Sequence, residues 1–250
     1  MTLTVHTRTP AGRYSEIVRL GPPPDFSAGQ HLRLRKETDG TGKIFSAASA
    51  PGESRRNGAV ELYVAGEERE GRIDFWFGPD AEGMRFDLLG TGGDFTLERI
   101  GSGYDHLVMI ATGTGIAPFR SMIRDLTDSA GQANRAVTLL HSHHTPEEMV
   151  YHGEFSSLGS RSDFCYVPSV TRTKGRTGEM STGRVTALLR LFLGMTAGSG
   201  AVLSPELDYA SIARRFQRPR TLIMACGNPE MLADVKDVAA QKNMTCVVEG

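Results

Sequence analysis

The sequence predicts two domains of different class: a small N-terminal antiparallel β-barrel or sandwich over residues 1–100 and a C-terminal α/β domain with a doubly wound parallel sheet over residues 101–250. Three observations carry this. The first hundred residues read as short strands separated by Pro/Gly turns. From Leu107 onward, continuous apolar runs alternate with stretches of helical period. A glycine turn joins the first such run to the first such helix. A chain of 250 residues, 39% hydrophobic and 23% charged, fits one or two globular domains.

In the barrel half, His31-Leu32-Arg33-Leu34-Arg35 alternates apolar and polar residues, and Val60–Val64 does so less cleanly. Pro22-Pro23-Pro24, Asp39-Gly40 and Pro51-Gly52 read as turns. After Ile100-Gly101-Ser102-Gly103, the run Leu107–Ala111 suits a buried parallel strand. Phe119, Met122, Ile123 and Leu126 then keep helical spacing. A strand Ala136–Leu140, a helix near Pro146–Leu158 and a strand Phe164–Val170 follow. Strand Thr221–Ala225 leads to a helix from Pro229 to about Lys242, capped by Asn228. Strand Thr245–Val248 comes last. No element is assigned to residues 191–204.

Composition excludes several functions. Lys+Arg is 28 against 29 Asp+Glu, a net charge of −1, so no nucleic-acid footprint is expected. Three cysteines without a C-x-x-C pair make neither a disulfide framework nor a multi-cysteine zinc site, and an iron–sulfur cluster needs four. This usage fits a reducing, cytoplasmic setting. No signal-peptide core opens the sequence. The apolar stretch near Ala187–Met195 is too short to span a membrane and is interrupted by Arg190. His141-Ser142-His143-His144 is expected to be a solvated strand end, with a metal site as the other reading; no metal ligand set is assigned. Cys165 and Cys246 read as packing residues, and Met109, Met122 and Met224 as core.

The segment Thr112-Gly113-Thr114-Gly115-Ile116-Ala117-Pro118 joins strand to helix. Glycines let backbone approach a pyrophosphate, and the helix start offers free N–H groups and a positive dipole end. Alone it is an ordinary tight turn; its place in the α/β pattern points to a nucleotide.

Three more segments occur in order with it: Lys43-Ile44-Phe45-Ser46-Ala47-Ala48-Ser49, Gly90-Thr91-Gly92-Gly93-Asp94-Phe95 and Ala225-Cys226-Gly227-Asn228-Pro229-Glu230-Met231. The ordered set resembles the ferredoxin–NADP reductase superfamily over nearly the whole chain, most closely its compact bacterial ferredoxin (flavodoxin)–NADP reductases. The resemblance implies a flavin-binding barrel and a nicotinamide-nucleotide domain. It puts Phe45 against the flavin ring, Ser46 near its N5, and Lys43, beside Ile44, at the pyrophosphate. The family's phosphate turn falls on Gly71-Arg72-Ile73-Asp74. Thr112, Gly113, Thr114 and Gly115 would carry the dinucleotide. Cys226 and Glu249, supported by Gly227 and Met231, would stand beside the rings; taken alone, Cys226 also reads as a buried structural thiol. Catalytic roles are expected for Ser46, Cys226 and Glu249.

Departures from the family bear on the cofactor. Lys43 replaces an Arg and loses its bidentate fork. Phe45 replaces a Tyr, and Asp74 sets a carboxylate where a phosphate-binding Ser is usual. FAD is expected rather than FMN. Arg172, Lys174 and Arg184, with His144 after the preceding strand, suit a 2′-phosphate, so NADPH is expected rather than NADH; a plain solvated loop explains the first two equally well. The segment from Met1 to Val60 holds nine basic and five acidic side chains, a net +4. A basic barrel face would steer an acidic ferredoxin or flavodoxin to a monomeric enzyme. The alternatives are the reductase component of an oxygenase, a flavin-bearing subunit of a larger redox complex, and a non-catalytic nucleotide-binding member.

Overall fold

The computed structural model describes residues 1–36, 42–128, 135–172, 178, 180–196 and 200–250. They form two compact units. The first comprises residues 1–100 and the helix from Ala117; the second comprises residues 101–116 and those described from Arg135 to Gly250.

The first unit holds strands β1 (Thr2–Pro10), β2 (Ser15–Gly21), β3 (His31–Arg35) and β4 (Lys43–Ser46), helix α1 (Pro51–Asn57), and strands β5 (Val60–Ala65), β6 (Glu67–Arg69), β7 (Arg72–Asp74) and β8 (Arg85–Gly92). The short helix α2 (Leu97–Ile100) follows. Six strands make one antiparallel sheet in the order β4-β3-β8-β1-β2-β5. Ala47, just past β4, bridges Leu62 of β5, so the two edges meet and the sheet closes as a barrel. Alternation puts Leu32 and Leu34 of β3 inside, with Leu3, Leu20, Leu62, Phe77 and Phe86. The pair β6–β7 is a separate hairpin. Its two turn residues, Glu70 and Gly71, both have positive φ, as a tight two-residue hairpin requires.

In the second unit, β9 (His106–Thr112) leads through one 3₁₀ turn at Gly113–Gly115 into α3 (Ile116–Asp128). Then come β10 (Ala136–His143), α4 (His152–Leu158), β11 (Phe164–Val170), β12 (Ser181–Thr182), α5 (Val185–Phe192), α6 (Tyr209–Arg215), β13 (Thr221–Cys226), α7 (Pro229–Gln241) and β14 (Thr245–Glu249). The sheet is parallel, ordered β12-β11-β10-β9-β13-β14. Residues 106–111 of β9 and all of β13 are buried, which explains why neither run alternates. Val108, Ile110, Leu140, Val167 and Ile223 pack against Leu188, Phe192, Ile212 and Val235 from α5, α6 and α7. Met109 and Met224 are fully buried, as is Met122 in the first unit's helix.

Three local expectations are corrected. Pro51-Gly52 opens α1 rather than a turn: Pro51 takes the first helical position, the Ala50 N–H donates to Glu53 Oε2 at 3.1 Å, and Gly58 ends the helix at φ +66°. The helix near Pro146–Leu158 is two pieces, a 3₁₀ turn over Pro146–Glu148 and α4, separated where Tyr151 adopts φ +64°. The histidine cluster is not a solvated strand end. β10 continues to His143, and His141 is fully buried with its Nδ1 3.3 Å from the Tyr166 hydroxyl. Only His144 is exposed. Among the described residues no His, Cys, Asp or Glu group of three could hold a metal ion. No described helix is long and apolar enough to cross a membrane.

Candidate functional site

In the second unit the chain passes from β9 outward to β10, β11 and β12, then returns to β13 on the other side of β9. The loops after β9 and β13 therefore leave the sheet in opposite directions. The crevice between them, at the carboxyl ends of the strands, is where open α/β sheets take ligands.

Both loops depend on glycine. A Cβ on Gly115 would stand 2.2 Å from the Cys226 carbonyl oxygen, so only glycine lets the turn lie against β13. Gly113 has φ +57°, and its missing Cβ faces open space. That leaves backbone exposed where a phosphate could approach, next to the start of a 13-residue helix. The loops are also cross-linked by side chains. Thr112 Oγ1 accepts from the Asn228 backbone N–H at 3.2 Å and from its Nδ2 at 3.3 Å. Asn228 Oδ1 caps α7 by accepting from Met231 N–H at 2.8 Å. The buried ring of His143 bonds to the Gly113 backbone. Sequence reasoning assigned no role at this turn to His143, whose partner Gly113 belongs to the loop after the neighbouring strand and is remote in sequence.

Cys226 ends β13 and is side by side in register with Glu249 of β14. Burial, and after it the Glu249 charge, pushes the Cys226 thiol up to about 12, so it is a neutral S–H at physiological pH. Burial raises the Glu249 carboxyl to about 7. Its folded-state value exceeds the usual 4.5. The protonated carboxyl therefore favours the fold below pH 4.5, and that contribution is lost as pH rises through 7. Between these pH values the thermal midpoint of the wild-type protein is expected to fall relative to Glu249→Gln, which has no carboxyl to ionise. Parallel profiles for the two proteins would refute this.

Two of the expected 2′-phosphate ligands, His144 and Arg172, follow the ends of β10 and β11. His144 Nδ1 lies 3.1 Å from Thr171 Oγ1, and the His144 carbonyl accepts from Arg172 N–H at 2.8 Å. Arg172 is exposed. Lys174 lies outside the described residues. Arg184, at the start of α5, is exposed and paired with Glu230 at 2.5 Å. It lines a cavity of about 440 Å³ together with Thr171, Thr186, Arg190 and Asp234. Sequence reading gave Arg190 and Asp234 no place in this cavity, because their approach is set by the packing of α5 beside α7.

In the first unit, Phe45 packs 5.0 Å from Trp76 and 5.4 Å from Phe77, centroid to centroid. Ser46 pairs with His31 across β3. Ile44 is 60% exposed. The structure brings Lys43 to the β6–β7 hairpin, where it pairs with Glu67 at 3.0 Å. Glu67 also accepts from Arg69 at 2.6 Å and stands opposite Asp74 in register. The hydrogen bonds from Arg69 and then Lys43 hold the Glu67 carboxyl below its ordinary range. Residues 67–74 together with Lys43 carry three cations and four carboxylates. Phe45 is thus committed to Trp76 and Phe77, and Lys43 to Glu67.

A family model described as the oxidoreductase NAD-binding domain matches residues 109–237. The reductase component DmpP of phenol 2-monooxygenase from Pseudomonas sp. (strain CF600) is 31% identical over 157 residues, 62% of this chain and 42% of that one. Ferredoxin–NADP reductase A from Sorangium cellulosum is 32% identical over 140 residues, 51% of this chain and 42% of that one. The match thus spans under half the length of either relative. The crystal structure of a ferredoxin NADP⁺ reductase from Neisseria gonorrhoeae, with bound FAD and NADP, superposes with a TM-score of 0.73 at 21% identity, over 100% of this chain and 97% of that one. With the family model matching just over half of its residues, the chain belongs to the oxidoreductase NAD-binding domain family, and its two-unit fold is shared with that reductase.

Proposed function

We propose that this protein is a flavin-dependent oxidoreductase that passes electrons between NADPH and a one-electron protein carrier of ferredoxin or flavodoxin type. The observation that carries this is the glycine turn at the sheet's switch point, packed on the loop that bears Cys226. In this reading residues 101–250 take the dinucleotide and residues 1–100 the flavin, FAD rather than FMN. A bound flavin supplies a ring that accepts hydride and releases electrons singly.

The chain's own residues then have distinct tasks. The backbone of Gly113, Thr114 and Gly115 and the α3 N-terminus hold the pyrophosphate; Thr112, Gly227 and Met231 keep that crevice in shape. The neutral Cys226 thiol packs beside the nicotinamide without adding charge. Glu249, raised to about 7, can hold or release a proton near neutrality. Lys43, with Ile44 beside it, and the turn Gly71-Arg72-Ile73-Asp74 face the flavin phosphates. Phe45 offers a stacking face, and Ser46 a hydroxyl. His144, Arg172, Lys174 and Arg184 favour a 2′-phosphate, so NADPH is preferred over NADH. The net +4 between Met1 and Val60 supports an acidic carrier, and the three free cysteines support a cytoplasmic location. The protein acts as a monomer.

The relative named as a phenol 2-monooxygenase reductase component favours a second reading, the same half-reaction serving an oxygenase. The carboxylates around Lys43 favour a third, a member that binds nucleotide without catalysis.

The test is an anaerobic visible spectrum of the protein loaded with FAD, titrated with NADPH and with NADH. Bleaching of the flavin bands, with a higher kcat/KM for NADPH, is expected; failure to take up FAD moves the non-catalytic reading to first place. Glu67→Gln frees Lys43 and is expected to tighten FAD binding by roughly 2–5-fold, the scale of an exposed ion pair. Unchanged or weaker FAD binding in that variant would remove Lys43 from the phosphate seat.

A further inference from the structure

The dinucleotide turn lies at the carboxyl ends of the parallel strands. Their amino ends, about 20 Å away along strands of six or seven residues, open onto another cleft. Its volume is about 450 Å³, within the range of small-molecule sites. The starts of β13 and β14 and the ends of α5, α6 and α7 surround it.

The cleft has an aromatic floor and a cationic rim. Phe192 stacks 5.5 Å from Phe216 at 18° and 6.0 Å from Tyr209 at 22°, which gives a column of nearly parallel rings with the two Phe residues buried and Tyr209, 43% exposed, as its open end. Met244 and Leu193 extend the apolar surface. Arg218 and Lys242 line the rim, and no Asp or Glu lines the cleft at all, although the chain as a whole is slightly acidic. Neither cation has an ion-pair partner among the described residues. His106 lies beneath Phe216, and burial, with the charges of Arg218 and Arg215 after it and the Asp105 charge opposing, pushes it down to about 4. The helix C-termini oppose an anion, by at most about half a charge each. Much of each last turn is already engaged: Leu189, Arg190 and Leu191 accept from Leu193, Met195 and Gly194 N–H, Ala213, Arg214 and Arg215 from Phe216, Gln217 and Arg218 N–H, and Val238, Ala239 and Ala240 from Lys242, Met244 and Asn243 N–H. Two uncommitted full charges outweigh that residue of dipole.

We infer that this cleft is a second ligand site, for a small flat monoanion such as an aromatic carboxylate or sulfonate, its ring against Tyr209 at the open end of the aromatic column and its charge toward Arg218 and Lys242. The inference does not depend on the reductase reading, because no residue is shared with the dinucleotide seat. Cations near helix ends are otherwise explained as partners of the dipole; in that case their removal changes stability and leaves binding alone.

The probe is 1-anilinonaphthalene-8-sulfonate, titrated by fluorescence into the full chain with and without NADP⁺. Saturable binding at one site, unaffected by NADP⁺, is expected. The uncharged N-phenyl-1-naphthylamine should bind at least tenfold more weakly. Arg218→Gln with Lys242→Gln should weaken the anilinonaphthalenesulfonate tenfold or more at an unchanged thermal midpoint. Ala213→Trp, which fills the cleft and leaves both charges, should abolish binding independently. Displacement by NADP⁺, equal affinity for the uncharged probe, or wild-type affinity in both variants would overturn the assignment.

Discussion

Replacing Arg120 by Leu is expected to destabilise the first unit by about 3 kcal/mol, the lower end of the cost of orphaning a buried charge. Arg120 lies on α3 with its side chain only 8% exposed. Its Nη1 donates to the Ala48 carbonyl at 2.9 Å and to Glu53 Oε2 at 3.2 Å, and its Nη2 to Glu53 Oε1 at 3.1 Å. Glu61 lies 3.6 Å from the same guanidinium and is 7% exposed. One fork thus ties helix α3 to α1, to β5 and to the strand-end carbonyl at Ala48, and Ser121 adds a bond to the Ser49 carbonyl at 2.8 Å. Without Arg120, Glu61 keeps Arg19 and Glu53 keeps the Ala50 N–H, which is why the cost sits at the low end. Arg120→Lys retains the charge without the fork and should lose roughly half as much. Arg120→Leu combined with Glu53→Leu should recover much of the loss, because no unpaired carboxylate is then left at that position. The chain has a single tryptophan, Trp76, in the first unit, so its fluorescence in urea follows this unit alone. An unchanged unfolding midpoint for Arg120→Leu would show the network to be energetically neutral.

The parts of this molecule legible in the sequence are those set by local chemistry. Leu107–Ala111 reads as a buried strand because every residue in it is apolar, and Asn228-Pro229 reads as a helix start because cap and first-turn preferences reside in two adjacent residues. The glycine turn was legible for the same reason. Helix α1 was not: so short a helix gives no periodicity, and a Pro-Gly pair signals a turn as strongly as a helix start. His141 looked solvated because its hydroxyl partner, Tyr166, stands on the neighbouring strand, beyond the whole of α4. Arg120 reads as the polar residue of an amphipathic helix, and nothing near it in sequence announces Glu53 or Glu61. The charge pairings of the candidate site were equally hidden. Lys43 with Glu67, and Arg184 with Glu230, join residues 24 and 46 positions apart, and each commits a cation that the linear pattern shows as free. Motif reading thus named residue types suited to the expected chemistry and left open whether each was available to a ligand.

The two glycines of the turn allow that distinction to be measured, because they are required for different reasons. Gly115→Ala puts a Cβ 2.2 Å from the Cys226 carbonyl oxygen, 2.4 Å from its carbon and 2.7 Å from the Gly227 nitrogen. All three are backbone atoms, so no side chain can swing aside, and β13 must separate from the turn. Overpacking of this kind costs about 1–3 kcal/mol, and it shifts Cys226 and the Asn228–Thr112 bonds together. Gly115→Ala is therefore expected to lower both the unfolding free energy and the NADP⁺ affinity, the latter by more than tenfold. Gly113→Ala meets no atom within 4 Å. Its stability cost is only that of an alanine at φ +57°, about 1–2 kcal/mol. Its methyl group, however, occupies the open side of the turn, where the backbone would meet a phosphate. Binding should fall tenfold or more in this variant too, with Cys226 and β13 undisturbed. Calorimetric titration with NADP⁺, alongside denaturant unfolding followed by far-UV circular dichroism, separates the cases. If Gly113→Ala binds like the wild-type protein while Gly115→Ala is merely less stable, the turn is a packing device, and the dinucleotide must be sought elsewhere on the sheet.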